Sequence, residues 1–157
     1  MEEQEKSASF FRFEDLRIYD KATDYSSWLI GVLNEPRNKR EEAFIQSFCR
    51  SAFDISLNIA EGSARNKTQF EYYLKIAKTA IRECVVFTTV ASSLGLFDPN
   101  TYQKSRETLM ELTRMVGALI ISIQRSNGGR RRDNDEPSNY TSPIEDDDTL
   151  NQIDTNF

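Results

Sequence analysis

Histidine is absent from all 157 residues, and its absence removes a large part of ordinary enzyme chemistry. Imidazole is the usual acid–base group near neutral pH, a common zinc ligand, and one half of each Glu-x-x-His pair in di-iron helical bundles. A di-iron centre of that type is excluded, and no metal, cofactor or catalytic residue is expected. Cysteine is scarce too. Cys49 and Cys84 stand far apart and form no CxxC pair, which fits the reduced thiols of a cytoplasmic protein. No apolar run approaches the roughly 18 residues of a membrane span, and "MEEQEKSASFF" lacks the basic-then-apolar order of a leader. Also missing are GxGxxG, GxSxG and a GxxxxGK run followed by Ser or Thr. The expectation is a soluble, cytoplasmic protein with no membrane partner.

What charge there is sits unevenly. The net charge is −5, and residues 127–157 account for all of it, with three arginines against eight acids. Residues 1–126 hold 17 basic and 17 acidic groups. The body is neutral, so overall acidity does not exclude an anionic partner. The stretch 127–157 is rich in Asn, Asp, Gly, Ser and Pro and has no sustained apolar period, so it reads as a disordered acidic tail. Residues 1–12 read as a flexible N-terminus that Phe10, Phe11 and Phe13 could pin to the body.

Between these flanks, over 13–126, stop signals divide the chain into four helical stretches. The first runs from about Glu14 to Leu33, before the turn at Pro36. The second covers about Arg40 to Glu61, with Gly62 as its left-handed terminator. The third starts at Thr68, whose spacing to Glu71 fits a capping box, and runs to about Leu94 before Gly95. The fourth opens on Asp98 as cap and Pro99 as first residue and continues to about Arg125. Helices of similar length with short connections predict an all-α fold, an antiparallel up-down-up-down four-helix bundle.

Core stripes follow from the spacing. In the fourth helix Tyr102, Leu109, Val116 and Ile123 alternate with Ser105, Leu112 and Leu119 in an a/d pattern. The second helix has Phe44, Phe48, Ala52, Ile55 and Ile59 on one stripe, with Ile45, Cys49, Phe53 and Ala60 beside it. The third has Phe70, Tyr73, Leu74, Ala77, Ile81, Cys84 and Thr88, with Ile76, Phe87, Val90 and Leu94 on a neighbouring arc. These arcs are broader than one bundle seam needs, and self-association would cover the surplus.

One stripe is polar. Arg50, Asp54, Asn58, Glu61 and Arg65 fall within about 80° of the second helix, in an order that allows Arg50 to pair with Asp54, Asp54 with the Asn58 amide, and Glu61 with Arg65. Three readings compete: a solvated face, a polar ladder that fixes register between helices or subunits, and catalysis. Paired carboxylates without a histidine disfavour the last.

The run "QSFCRSAFDISLNIAEGSARNKTQFEYYLKIAKTAIRE" resembles the signature of the four-helix-bundle proteins first described from reading frames within intervening sequences of bacterial 23S ribosomal RNA. Gln46, Arg50, Ala52, Ile55, Asn58, Ile59, Ala60, Glu61, Gly62, Arg65, Phe70, Leu74, Ala77 and Glu83 carry the likeness, and "FEDLRIYDKA" resembles the family's opening. Asp54 and the Thr79-Ala80 pair depart from the pattern. The resemblance implies a bundle that assembles as a ring, a homopentamer. The family includes the accessory variability determinant of diversity-generating retroelements, which binds nucleic acid and a reverse transcriptase. On this view Arg50, Asp54, Asn58, Glu61, Gly62, Arg65 and Glu83 form a structural polar motif that ends the second helix and ties it to the third or to a neighbouring subunit.

The expected function is a non-enzymatic homo-oligomeric scaffold that binds RNA, DNA or a nucleic-acid enzyme such as a reverse transcriptase. Candidate phosphate contacts are Arg37, Lys39 and Arg40 in the first loop, Arg65 and Lys67 in the second, and Arg130, Arg131 and Arg132 after the bundle; repeated around a ring they would form a basic rim. The alternative is a multivalent protein–protein adaptor acting through helical faces or the acidic "EDDD" segment. That segment could equally suppress non-specific binding or serve solubility.

Overall fold

Two asparagines and an aspartate set the starts of three helices. A computed structural model describes residues 10–128. The helices are α1 (Arg17–Val32), α2 (Lys39–Ser63), α3 (Lys67–Ser93) and α4 (Pro99–Gly128), and the described residues contain no strand. The Asn38 side chain accepts from the Arg40 and Glu41 amides, both at 3.0 Å, and Glu41 and Glu42 place negative charge in the first turn of α2, where the dipole favours it. Asn66 caps α3 by accepting from the Gln69 amide at 2.9 Å, and Asp98 caps α4 through the Thr101 amide at 2.7 Å. Burial barely touches Asp98; the Thr101 amide holds its carboxyl below the ordinary range.

Three expectations need correction. Thr68 is not the cap of α3: Glu71 does not reach back but binds Lys75 at 2.9 Å and Gln124 of α4 at 2.9 Å, and Asn66 takes the capping position. Gly62 does not end α2 in a left-handed turn. It is buried within the helix, and the one residue with positive φ among those described is Gly95, at φ 70. There the Gly95 amide bonds to the Ser92 carbonyl at 3.0 Å and the Leu96 amide to that of Ala91 at 2.9 Å, the paired bonds that close a helix over a glycine. Finally, α1 begins at Arg17, because Arg12–Asp15 form a separate 3-10 turn followed by an extended Leu16. Phe13 packs on Tyr19 with ring centroids 4.9 Å apart, while Phe10 and Phe11 remain largely exposed.

Each helix packs its backbone close to its neighbours in sequence, α1 also lies close to α4, and the backbones of α1 and α3 and of α2 and α4 stay further apart. The four therefore surround one core. Phe48, Ala52, Ile55 and Ile59 of α2, Leu74, Ala77 and Cys84 of α3, and Leu109, Leu112 and Val116 of α4 have no accessible surface. From α1 come Ala22, Tyr25 and Leu29. Burying a side chain of the size of Phe48 contributes about 2 to 3 kcal/mol.

A polar chain crosses this core. The Thr88 hydroxyl donates to the Cys84 carbonyl at 2.7 Å, so its oxygen accepts the Ser105 hydroxyl at 2.7 Å and Ser105 in turn accepts the Tyr25 O–H at 2.9 Å. The relay joins α1, α4 and α3 at one level. No buried polar side-chain atom among the described residues lacks a partner.

Candidate nucleic-acid interface

The polar stripe on α2 is mostly paired within its own helix. Arg50 approaches Asp54 at 3.5 Å, and its side chain is 78% exposed. Asn58 donates to the backbone carbonyl of Asp54 at 2.7 Å rather than to its carboxylate. Arg65 pairs with Glu61, one turn back, and this carboxylate raises the guanidinium further above its ordinary range. Exposed pairs of this kind are screened by water and contribute little to stability. They orient side chains more than they hold the fold.

Two members of the motif do bridge helices. Ser51 donates to Glu83 at 2.8 Å, joining α2 to α3. Gly62 lets α3 come close: a Cβ there would meet Tyr73 Cβ at 2.7 Å and Phe70 Cδ2 at 2.8 Å. Asn58, Glu61 and Arg65 stay local to the last turns of α2.

The first basic cluster divides. Arg37 pairs with Glu41 at 2.7 Å and donates to the Leu94 carbonyl at 3.1 Å, latching the α1–α2 connection to the end of α3. Those hydrogen bonds from Arg37 hold the Glu41 carboxyl below its usual range. Lys39 and Arg40 are exposed beside it. Arg37 is thus a structural latch, and Lys39 and Arg40 are the cations left for a ligand at this end.

The second cluster gains a member. Arg65 and Lys67 line a cleft of about 790 Å3 together with Arg12, Leu16, Ser63, Asn66, Phe70 and Asn127. The 3-10 turn brings Arg12, the α2–α3 connection Arg65, the first turn of α3 Lys67, and the end of α4 Asn127. Arg12 and Lys67 have no ion-pair partner among the described residues. The two basic ends lie about 37 Å apart, the length of α2 at about 1.5 Å per residue. Arg130, Arg131 and Arg132 lie outside the described residues, as does most of the acidic tail.

Other chemistry is sparse. Both cysteines are free, Cys49 half-buried and Cys84 buried. Among the described residues no group of three or more Cys, Asp or Glu side chains could hold a metal ion, and no helix is long and apolar enough to cross a membrane.

The described residues thus form an all-helical unit with a bridged α2–α3 pair and exposed cations near both ends of α2. Residues 14–118 match the family described as 23S rRNA-intervening sequence protein, and the chain belongs to that family. No curated protein matches it.

Proposed function

We propose that this chain is a non-enzymatic scaffold that assembles into a ring, a homopentamer, in the cytoplasm and binds nucleic acid or a nucleic-acid enzyme such as a reverse transcriptase. Its four helices run up-down-up-down and antiparallel. The short connections support this, as do the Arg37–Leu94 latch and the cleft where Leu16, Ser63 and Asn127 meet. The observation that carries the binding reading is a group of exposed cations, Arg12, Lys39, Arg40 and Lys67, that have no ion-pair partner among the described residues and lie at the two ends of a charge-balanced body. Copied around a ring, each end becomes a band of phosphate-binding charge.

Assembly is supported by apolar surface that one chain leaves uncovered. Leu57 on α2 is 58% exposed, and Tyr72 and Val86 on α3 are each 62% exposed. Such surface on neighbouring helices is what an oligomer buries. The absence of histidine and the local pairing of Asp54 and Glu61 favour a non-catalytic role.

The test measures mass in solution by light scattering and then binding of RNA and DNA by fluorescence anisotropy at low and physiological salt. The expected result is an oligomer with salt-sensitive binding. A monomer that binds neither nucleic acid would refute the proposal.

A second reading, a protein adaptor, has one observation in its favour. A groove of about 510 Å3 between α2 and α3 is lined by Ser47, Arg50, Ser51, Glu83, Val86 and Phe87, and its apolar floor suits a partner helix. Docking there would persist at salt concentrations that release phosphates.

A further inference from the structure

The end cleft differs from the other basic positions in being concave and in having an apolar wall. Arg12 reaches it from the 3-10 turn, and Arg65 and Lys67 from the α2–α3 connection and the first turn of α3; Leu16 and Phe70, both half-buried, line it as well. Phe70 stands where it does because Gly62 has no side chain to hold it off. Asn127 adds an amide able both to donate and to accept. At about 790 Å3 the cleft falls within the range of small-ligand sites.

We propose that this cleft takes one nucleotide of a single-stranded nucleic acid, with the phosphate on Arg12, Arg65 and Lys67 and the base against Leu16 and Phe70. The inference rests on the nucleic-acid reading above and narrows it to a strand type and a place. A duplex keeps its bases stacked and paired inside, so it offers this cleft only phosphates. A single strand can turn a base outward onto an apolar wall and present its edge to an amide. Arg65 reaches the cleft already oriented by Glu61, while Arg12 and Lys67 supply charge that no acid of the described residues offsets in an ion pair.

The test uses the full chain and labelled RNA of one sequence, single-stranded and as a duplex, with a DNA strand of the same sequence alongside. Lys67→Glu is the informative variant, because an acid in the first turn suits the helix dipole and the protein keeps its melting temperature. The single strand is expected to bind more tightly than the duplex. Arg12→Gln and Lys67→Glu are each expected to weaken single-strand binding about ten-fold, and each cation removed lowers the salt slope by about 0.7. Arg82→Gln, midway along α3 and the same loss of charge as Arg12→Gln, changes affinity little. Equal effects of all three variants, or tighter binding of the duplex, would overturn the assignment of the cleft while leaving nucleic-acid binding intact. No binding by the unaltered chain would remove both.

Discussion

Gly62 and Tyr73 meet at backbone range: a methyl group on Gly62 would stand 2.7 Å from the Tyr73 Cβ. The obstructing atom is fixed to the α3 backbone and cannot swing away, so any side chain at 62 must push two helices apart. Gly62→Ala gains about 1 kcal/mol of helix propensity but meets overpacking of about 1 to 3 kcal/mol. The expected outcome is a net loss in chemical denaturation, larger for Gly62→Leu. Gly117→Ala in α4, with nothing within 4 Å, should instead stabilise by about 0.5 to 1 kcal/mol. If the two alanine variants shifted stability in the same direction, the close-contact account would be wrong.

The Tyr25–Ser105–Thr88 relay predicts an order of mutational cost. Tyr25→Phe leaves one lone pair of Ser105 unfilled and should cost about 1 kcal/mol. Ser105→Ala strands the buried Tyr25 O–H and removes the donor to Thr88, for a loss of about 2 to 3 kcal/mol. Equilibrium unfolding in urea checks the order, and a larger cost for the tyrosine change would reverse the assigned direction of the hydrogen bonds.

Stability should fall on the alkaline side. Burial pushes the Tyr25 phenol and the Cys84 thiol well up, and each also disfavours its charged form through neighbouring negative groups. The folded state therefore holds both neutral after the unfolded chain has begun to ionise, at about pH 8.5 for cysteine and about pH 10 for tyrosine. Their contribution is complete below those values and is lost as pH rises beyond them. With no imidazole in the chain, stability should be nearly flat from about pH 6 to 8. Tyr25→Phe should flatten the limb above about pH 10; a wild-type profile level across the whole alkaline range would contradict the burial of both groups.

The core stripes could be read from the sequence because a 3.6-residue period places apolar side chains on one face whatever the partner. Phe48, Ile55 and Ile59, and Leu109, Leu112 and Val116, are all fully buried. The paired order of Arg50 with Asp54 and of Glu61 with Arg65 was legible for the same reason, since one turn brings them together. Gly62 was misread because a glycine near a helix end has two uses, a left-handed turn or a close helix approach, and only the packing of α3 decides between them. Thr68 had the spacing of a cap, but Glu71 found better partners in Lys75 and Gln124. Arg12 carried no signal at all. It lies in the stretch read as loose, and its place beside Arg65 and Lys67 depends on the packing of the 3-10 turn against α2, distant in sequence.

The chain contains a single tryptophan, and the packing around it amounts to a built-in optical probe. Trp28 lies 5.8 Å from the Tyr25 ring and 6.1 Å from that of Phe97, with the Lys104 ammonium 5.2 Å above it. Its emission therefore reports on the seam between α1 and α4 at the end of the molecule away from the Arg12 cleft. Unfolding will change that emission, and occupancy of the cleft will leave it unchanged.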